Sequence, residues 1–88
     1  MLCQIVGAIL KKEDVTFAVV LVKRHMIETK NKIQEAKNAY SYIFPGMPII
    51  LVAQDSVENP TYCGKKDIVS FLAKINPRSI PWKRYTVE

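Results

Sequence analysis

Three runs of apolar residues, each of strand length and hardly interrupted by polar residues, constrain the fold of this 88-residue chain more than any other feature. They cover residues 2–10, 15–22 and 47–53. A strand with one hydrated face alternates apolar with polar residues, whereas a strand buried on both faces does not. The pattern therefore predicts a β-sheet whose strands are covered on both sides.

Two other segments have a helical period. In residues 28–44 and 65–75 the apolar positions recur at steps of three and four, which is typical of helices with one buried face. The two stripes consist of Ile33, Ala36, Tyr40 and Ile43, and of Ile68, Phe71, Leu72 and Ile75. Thr29 is a candidate N-cap of the first helix. Turn residues at 45–46 and 76–77 are expected to end the two helices.

The polar residues 11–14 predict a hairpin between the first two strands, and residues 61–63 form a weak fourth strand. The order β-β-α-β-(β)-α predicts a two-layer α+β sandwich, in which a mostly antiparallel sheet of three to four strands packs against two helices. The chain is expected to be a single domain over residues 1–88. Residues 77–88 are expected to be an extended C-terminal tail, with a short edge strand as the alternative.

The predicted sheet is wider than two helices can cover. Four strands about 4.8 Å apart span about 19 Å, whereas one helix covers about 10 Å. A second copy of the chain would shield the remaining apolar surface, so we expect a homodimer. The alternative is a monomer with one helix on each face of a narrow three-stranded sheet.

Composition excludes several classes of protein. No apolar run approaches the roughly 18–20 residues that cross a membrane, and residues 1–10 lack the basic stretch and cleavage site of a secretory signal. Cys3 and Cys63 are too few for a disulfide scaffold, and we expect free thiols in a cytoplasmic protein. The chain has one histidine and no recognisable ligand set, so neither a metal nor a cofactor is predicted.

The net charge of +5 permits an anionic partner. Basic residues interleaved with aromatic ones near the C-terminus can pair with phosphates and stack on bases. The candidate contacts to a nucleic acid or another anionic partner are Lys65, Lys66, Arg78, Trp82, Lys83 and Arg84. The competing interpretation is that the aromatic residues anchor the terminus to the core.

Three further segments are candidate sites. Cys63 precedes a helix start and two lysines, which favours a reactive thiolate, although a small buried residue is the simpler interpretation. Lys23, Arg24 and His25 follow the second strand, and a general base would have to be His25 unless the segment is only a solvated connection. Residues 54–56 follow the third strand, a position typical of ligand sites and also of tight turns.

Residues 47–52 and 64–75 resemble the closing ββα half of thioredoxin-like folds. In that family a proline precedes an apolar strand, and a turn, a strand, a glycine and an amphipathic helix follow. Here Pro48 stands at the position of the proline and Gly64 at that of the glycine. Residues 23–26 stand where a redox thioredoxin carries Cys-x-x-Cys, and they contain no cysteine. The resemblance implies a relative without redox activity, with Pro48 as a cis-proline.

The sequence favours a small non-enzymatic domain that acts through self-association or partner binding. One alternative is binding of a nucleic acid or an anionic ligand through the basic C-terminal patch. Another is a thiol-dependent or redox-dead thioredoxin-like protein, and an enzyme would have to use Cys63 or His25.

Overall fold

A computed structural model describes residues 3–54 and 60–87, which form five strands and two α-helices. The strands are β1 (Cys3–Lys12), β2 (Val15–Val22), β3 (Ile49–Gln54), β4 (Pro60–Cys63) and β5 (Lys83–Val87). The helices are α1 (Lys30–Ser41) and α2 (Lys66–Lys74), and two 3-10 turns cover Arg24–Ile27 and Pro77–Ser79. The prediction of an α+β fold is confirmed. Neither described helix is long and apolar enough to cross a membrane.

All the described strands belong to one sheet, in the order β4-β3-β2-β1-β5. β1 pairs antiparallel with both β2 and β5, and β3 pairs antiparallel with β4. β2 and β3 are parallel, because α1 carries the chain back across the sheet between them. The expected sheet was mostly antiparallel, and three of the four pairings are, but the sheet is mixed and has five strands where three to four were expected.

The fifth strand comes from the segment that was expected to be an extended tail. Its Tyr85 lies opposite Ile5 of β1 and meets the ring of Phe44 edge-on, with 5.2 Å between the ring centroids. On the other side of the sheet, Ile80 and Trp82 belong to the core that contains α2. These contacts hold the C-terminal segment against the sheet as an edge strand.

Each face of the sheet is covered by one α-helix, so the domain has three layers and the expected two-layer sandwich is wrong. Phe17 and Val19 of β2 pack in the core that contains α2, whereas Ala18 and Val20 pack in the core that contains α1. All four side chains are fully buried. Both predicted helical stripes are confirmed, because every residue of each stripe belongs to one of these two cores.

This arrangement removes the physical reason for expecting a second copy. The two helices receive help from Phe44 and Tyr85 on the α1 face and from Ile80 and Trp82 on the α2 face. Among the described residues, the large hydrophobic side chains that stay exposed are Ile9, Val15 and Tyr42. Self-association therefore stays a prediction, and it no longer has an uncovered apolar sheet face to support it.

The segment that resembles thioredoxin-like folds departs from that family where β3 begins. The peptide bond before Pro48 is trans, so the implied cis-proline is wrong. The Pro48 carbonyl instead accepts a hydrogen bond of 2.9 Å from the backbone N–H of Ala18, which starts the parallel pairing of β2 and β3. Residues 60–74 form an antiparallel strand and a helix, as the resemblance implies. The rest of the sheet differs from a thioredoxin-like one, because the hairpin of β1 and β2 lies beside β3.

Gly7 lies where β1 approaches the backbone of β2 closely, beside the rings of Phe44 and Tyr85. A Cβ at this position would lie 2.9 Å from the carbonyl oxygen of Val19, and 3.7 and 3.8 Å from ring atoms of Phe44 and Tyr85. The first of these distances is too short for a carbon atom against backbone oxygen. The two ring distances are ordinary van der Waals contacts, so the requirement for glycine comes from the close approach of β1 to the backbone of β2.

We expect Gly7→Ala to lower the free energy of unfolding by about 2–3 kcal/mol, because the added methyl overpacks a site that cannot expand. Urea unfolding followed by circular dichroism measures this change. Gly46→Ala is the control: its Cβ meets nothing within 4 Å, and only its φ of +77° opposes the substitution, at a cost of about 1 kcal/mol. Equal losses in both variants would contradict the packing role of Gly7.

We expect Tyr85→Ala to lower the free energy of unfolding by about 2–3 kcal/mol and to accelerate amide exchange in β5, because the ring contact with Phe44 is lost. Arg84→Ala changes the neighbouring residue, which is exposed. We expect it to change the free energy of unfolding by no more than about 0.5 kcal/mol. Hydrogen exchange together with urea unfolding tests both variants. If they behave alike, the Tyr85 ring does not anchor β5.

Candidate anion-binding site

The parallel strands β2 and β3 end side by side. Val22 lies beside Ala53 in the register, so the carboxyl ends of both strands reach the same end of the sheet. In open sheets this is where ligands commonly bind. The chain leaves β2 here and forms the turn Arg24–Ile27 before α1 begins.

The residues that leave this end of the sheet are strongly basic. We call residues 23–32 the cationic segment. Its ionisable side chains are Lys23, Arg24, His25, Glu28, Lys30 and Lys32, and all of them are exposed. The sole acidic residue in the segment, Glu28, lies 3.8 Å from the Nζ of Lys32. An exposed pair of this kind contributes little stability, so a net positive charge remains at this end.

The start of α1 places lysines where a helix disfavours them. The amino end of a helix carries partial positive charge and is stabilised by acidic residues. α1 has no acidic residue in its first turn, where Lys30 and Lys32 stand instead. α2 has the favourable order, with Asp67 in its first turn and Lys74 in its last. Such a local conflict is more typical of a functional surface than of a scaffold.

Two side-chain hydrogen bonds hold the cationic segment in place. The backbone N–H of Lys32 donates to the Oγ1 of Thr29 at 3.1 Å, which confirms Thr29 as the N-cap of α1. The Nη1 of Arg24 donates to the Oγ1 of Thr61 in β4 at 3.4 Å. The turn is therefore connected to the strand on the far side of β3.

Two grooves share a wall made by His25, Met26 and Tyr40. The strand groove, of about 380 Å³, lies against β1 and β2, and Gln4, Ile5, Val6, Leu21, Val22 and Lys23 complete its lining. The helix groove, of about 350 Å³, lies against α1, and Lys32, Glu35, Ala36 and Ala39 complete its lining. Both grooves open beside the cationic segment.

The strand groove presents hydrogen-bond donors without partners. The side chains of Lys23, His25 and Tyr40 make no hydrogen bond or ion pair with the other described residues. Burial raises the pKa of Tyr40 above its usual 10.0, so this phenol stays neutral and can donate its proton near neutral pH. An ammonium, an imidazole and a phenol together suit an anionic group.

The six residues of the basic patch expected from the sequence do not come together. Lys65 and Lys66 follow β4 at one edge of the sheet, whereas Lys83 and Arg84 belong to β5 at the other edge. These edges are about 19 Å apart, and successive residues of a strand point to opposite faces. Trp82 packs in the core of the α2 face, and Arg78 lies exposed in the second 3-10 turn.

The remaining candidate residues lie away from the grooves. Cys63 is a free cysteine that is half-buried in the core of the α1 face, opposite Leu51, as expected of a packing residue. Asp55 and Ser56, from the predicted site after the third strand, lie outside the described residues. Within residues 3–54 and 60–87, no three histidine, cysteine or acidic side chains could together hold a metal ion.

In comparisons with known proteins, no family model, no curated protein and no solved structure matches the chain at a significant level. The site is therefore interpreted from its own geometry.

The sequence predicts Lys23, Arg24 and His25 as a candidate site, and it does not indicate the residues that lie beside them in the structure. Tyr40 belongs to the apolar stripe of α1, and nothing in the local pattern shows that it also walls two grooves. One signal was present: the lysines at the start of α1 contradict the preference of the helix dipole.

We expect Tyr40→Phe to reduce the phenolate absorbance that develops above pH 10, because burial raises the pKa of Tyr40 and of Tyr62. The neutral phenol stabilises the fold below the unfolded-state pKa, and this contribution is lost as pH rises through the folded-state pKa. Ultraviolet absorbance against pH measures the change. Tyr42→Phe, at a position 88% exposed, is the control. If Tyr40→Phe leaves the phenolate absorbance that develops above pH 10 unchanged, this assignment is wrong.

Proposed function

We propose that this protein is a non-enzymatic binding domain whose cationic segment takes an anionic group of its ligand. The observation that carries the proposal is the position of that segment at the carboxyl ends of β2 and β3, beside the strand groove, where Lys23, His25 and Tyr40 make no hydrogen bond or ion pair with the other described residues. Phosphate and carboxylate are the anions that lysine, arginine and histidine side chains bind in proteins.

Binding is a better reading of these side chains than catalysis. General-base catalysis by a histidine requires a group that orients the imidazole and sets its tautomer. No acidic side chain among the described residues hydrogen-bonds to His25, and none lines the strand groove. Lys23, His25 and Tyr40 line the strand groove, and each carries a hydrogen-bond donor that suits a bound anion.

We keep nucleic-acid binding, self-association and a cytoplasmic location as parts of this proposal. A nucleic acid would meet the cationic segment through its phosphates, and it is one possible source of the anionic group. A homodimer would add a second cationic segment and so raise affinity for a polyanion through two linked contacts. A cytoplasmic location, which we also propose, would keep the Cys63 thiol reduced.

We expect the double variant Lys23→Gln/Lys32→Gln to elute from heparin at lower salt than the wild type. A protein that makes two fewer contacts with anionic groups releases fewer counterions on binding. The slope of log K against log salt should therefore become less steep by roughly 1.5. Binding of a heparin oligosaccharide measured by fluorescence at four salt concentrations gives this slope. A single-stranded oligonucleotide of similar charge, tested in parallel, shows whether nucleic acid is preferred.

The matched control is Lys65→Gln/Lys66→Gln, which removes the same charge at the opposite end of the sheet, where β4 ends beside the start of β3. It should retain nearly the wild-type affinity and salt slope. The proposed function is wrong if the wild type does not bind heparin at low salt, or if the control pair loses as much affinity as the pair in the cationic segment.

A further inference from the structure

We infer that the ligand joins its anionic group to an apolar ring, and that the ring lies in the strand groove. This inference rests on the proposed function, because the cationic segment holds the anionic group. The ligand class is thus a small aromatic phosphate or carboxylate, free in solution.

The lining of the strand groove carries the argument for the ring. Five of its lining residues are apolar: Ile5, Val6, Leu21, Val22 and Met26. A methionine thioether and a tyrosine ring, both present in the shared wall, make favourable contacts with aromatic rings. The polar groups of Lys23 and His25 stand beside this apolar floor, as a ligand with one charged end and one apolar end requires.

Charge decides between the two grooves. The helix groove contains Glu35, and its Lys32 is already paired with Glu28. The strand groove contains Lys23 and no carboxylate. An anion therefore meets attraction without repulsion in the strand groove, and mixed charges in the helix groove.

Volume limits the size of the ligand. The strand groove, at about 380 Å³, lies near the lower end of the range of roughly 300–1,000 Å³ found for ligand pockets. One ring and one anionic group fit such a space, whereas a larger ligand would extend out of it. We therefore choose phenyl phosphate as the probe, with inorganic phosphate as the anion without a ring and benzyl alcohol as a neutral ring of similar size.

The experiment is an NMR titration of the full chain with each of the three probes. Phenyl phosphate should bind roughly tenfold more tightly than inorganic phosphate, which corresponds to about 1.4 kcal/mol. The amides of Lys23 and His25 should shift with both anions. The amides of Ile5 and Val22 should shift with phenyl phosphate and stay unchanged with inorganic phosphate.

Two variants at exposed positions test which groove holds the ring. Gln4→Trp places a large side chain at the strand groove and should weaken phenyl phosphate roughly tenfold, a loss of about 1.4 kcal/mol, while inorganic phosphate is unaffected. Ala39→Trp fills the helix groove and should leave both affinities unchanged. Circular dichroism checks that each variant folds, and the wild-type shifts decide the question if one does not.

The outcomes separate this inference from the proposed function. Equal affinities for phenyl phosphate and inorganic phosphate would overturn the ring and leave the anion site standing. Shifts centred on Ala36 and Ala39 would overturn the assignment to the strand groove. If benzyl alcohol binds as well as phenyl phosphate, the anion contributes nothing and the proposed function fails with it. Absence of any shift at the groove overturns the inference.

Discussion

Burial of β2 and β3 on both faces is the constraint on which the rest of this structure depends. Phe17 and Ile50 face α2, while Val20 and Leu51 face α1, and none of the four is exposed to solvent. Each such side chain contributes roughly 1.5–3 kcal/mol when it is fully buried. A sheet of this kind is stable only when both faces are covered, so the two helices must lie on opposite sides of it.

The same constraint positions the candidate site. Two neighbouring buried strands that run in parallel need a crossover between them, and here α1 with its preceding turn supplies that crossover. The crossover begins at Lys23, directly where β2 ends and beside the end of β3. The cationic segment lies at the end of the sheet for this topological reason. Its His25 and Met26 form, together with Tyr40, the wall between the strand groove and the helix groove.

Both-face burial, the helical stripes and the Thr29 cap could be predicted from the sequence because each depends on residues close together in the chain. Strand direction could not, since a fully apolar run such as residues 15–22 has the same pattern in parallel and antiparallel pairs. The full covering of the sheet could not be predicted either, because Phe44 and Ile80 add to what the helices, Trp82 and Tyr85 cover. Ile5 of β1 and Tyr40 of α1 line the same strand groove, and no local pattern in the sequence indicates that they do.

The lysines at the start of α1 show how the fold tolerates a site that its own local preferences disfavour. An acidic residue at Lys30 or Lys32 would favour the helix by about 0.3–1 kcal/mol, but it would weaken the positive field that an anion meets. The Thr29 cap and the Glu28–Lys32 pair offset part of this cost. The loss is small beside the burial of β2 and β3, so the domain can keep an electropositive end without losing its structure.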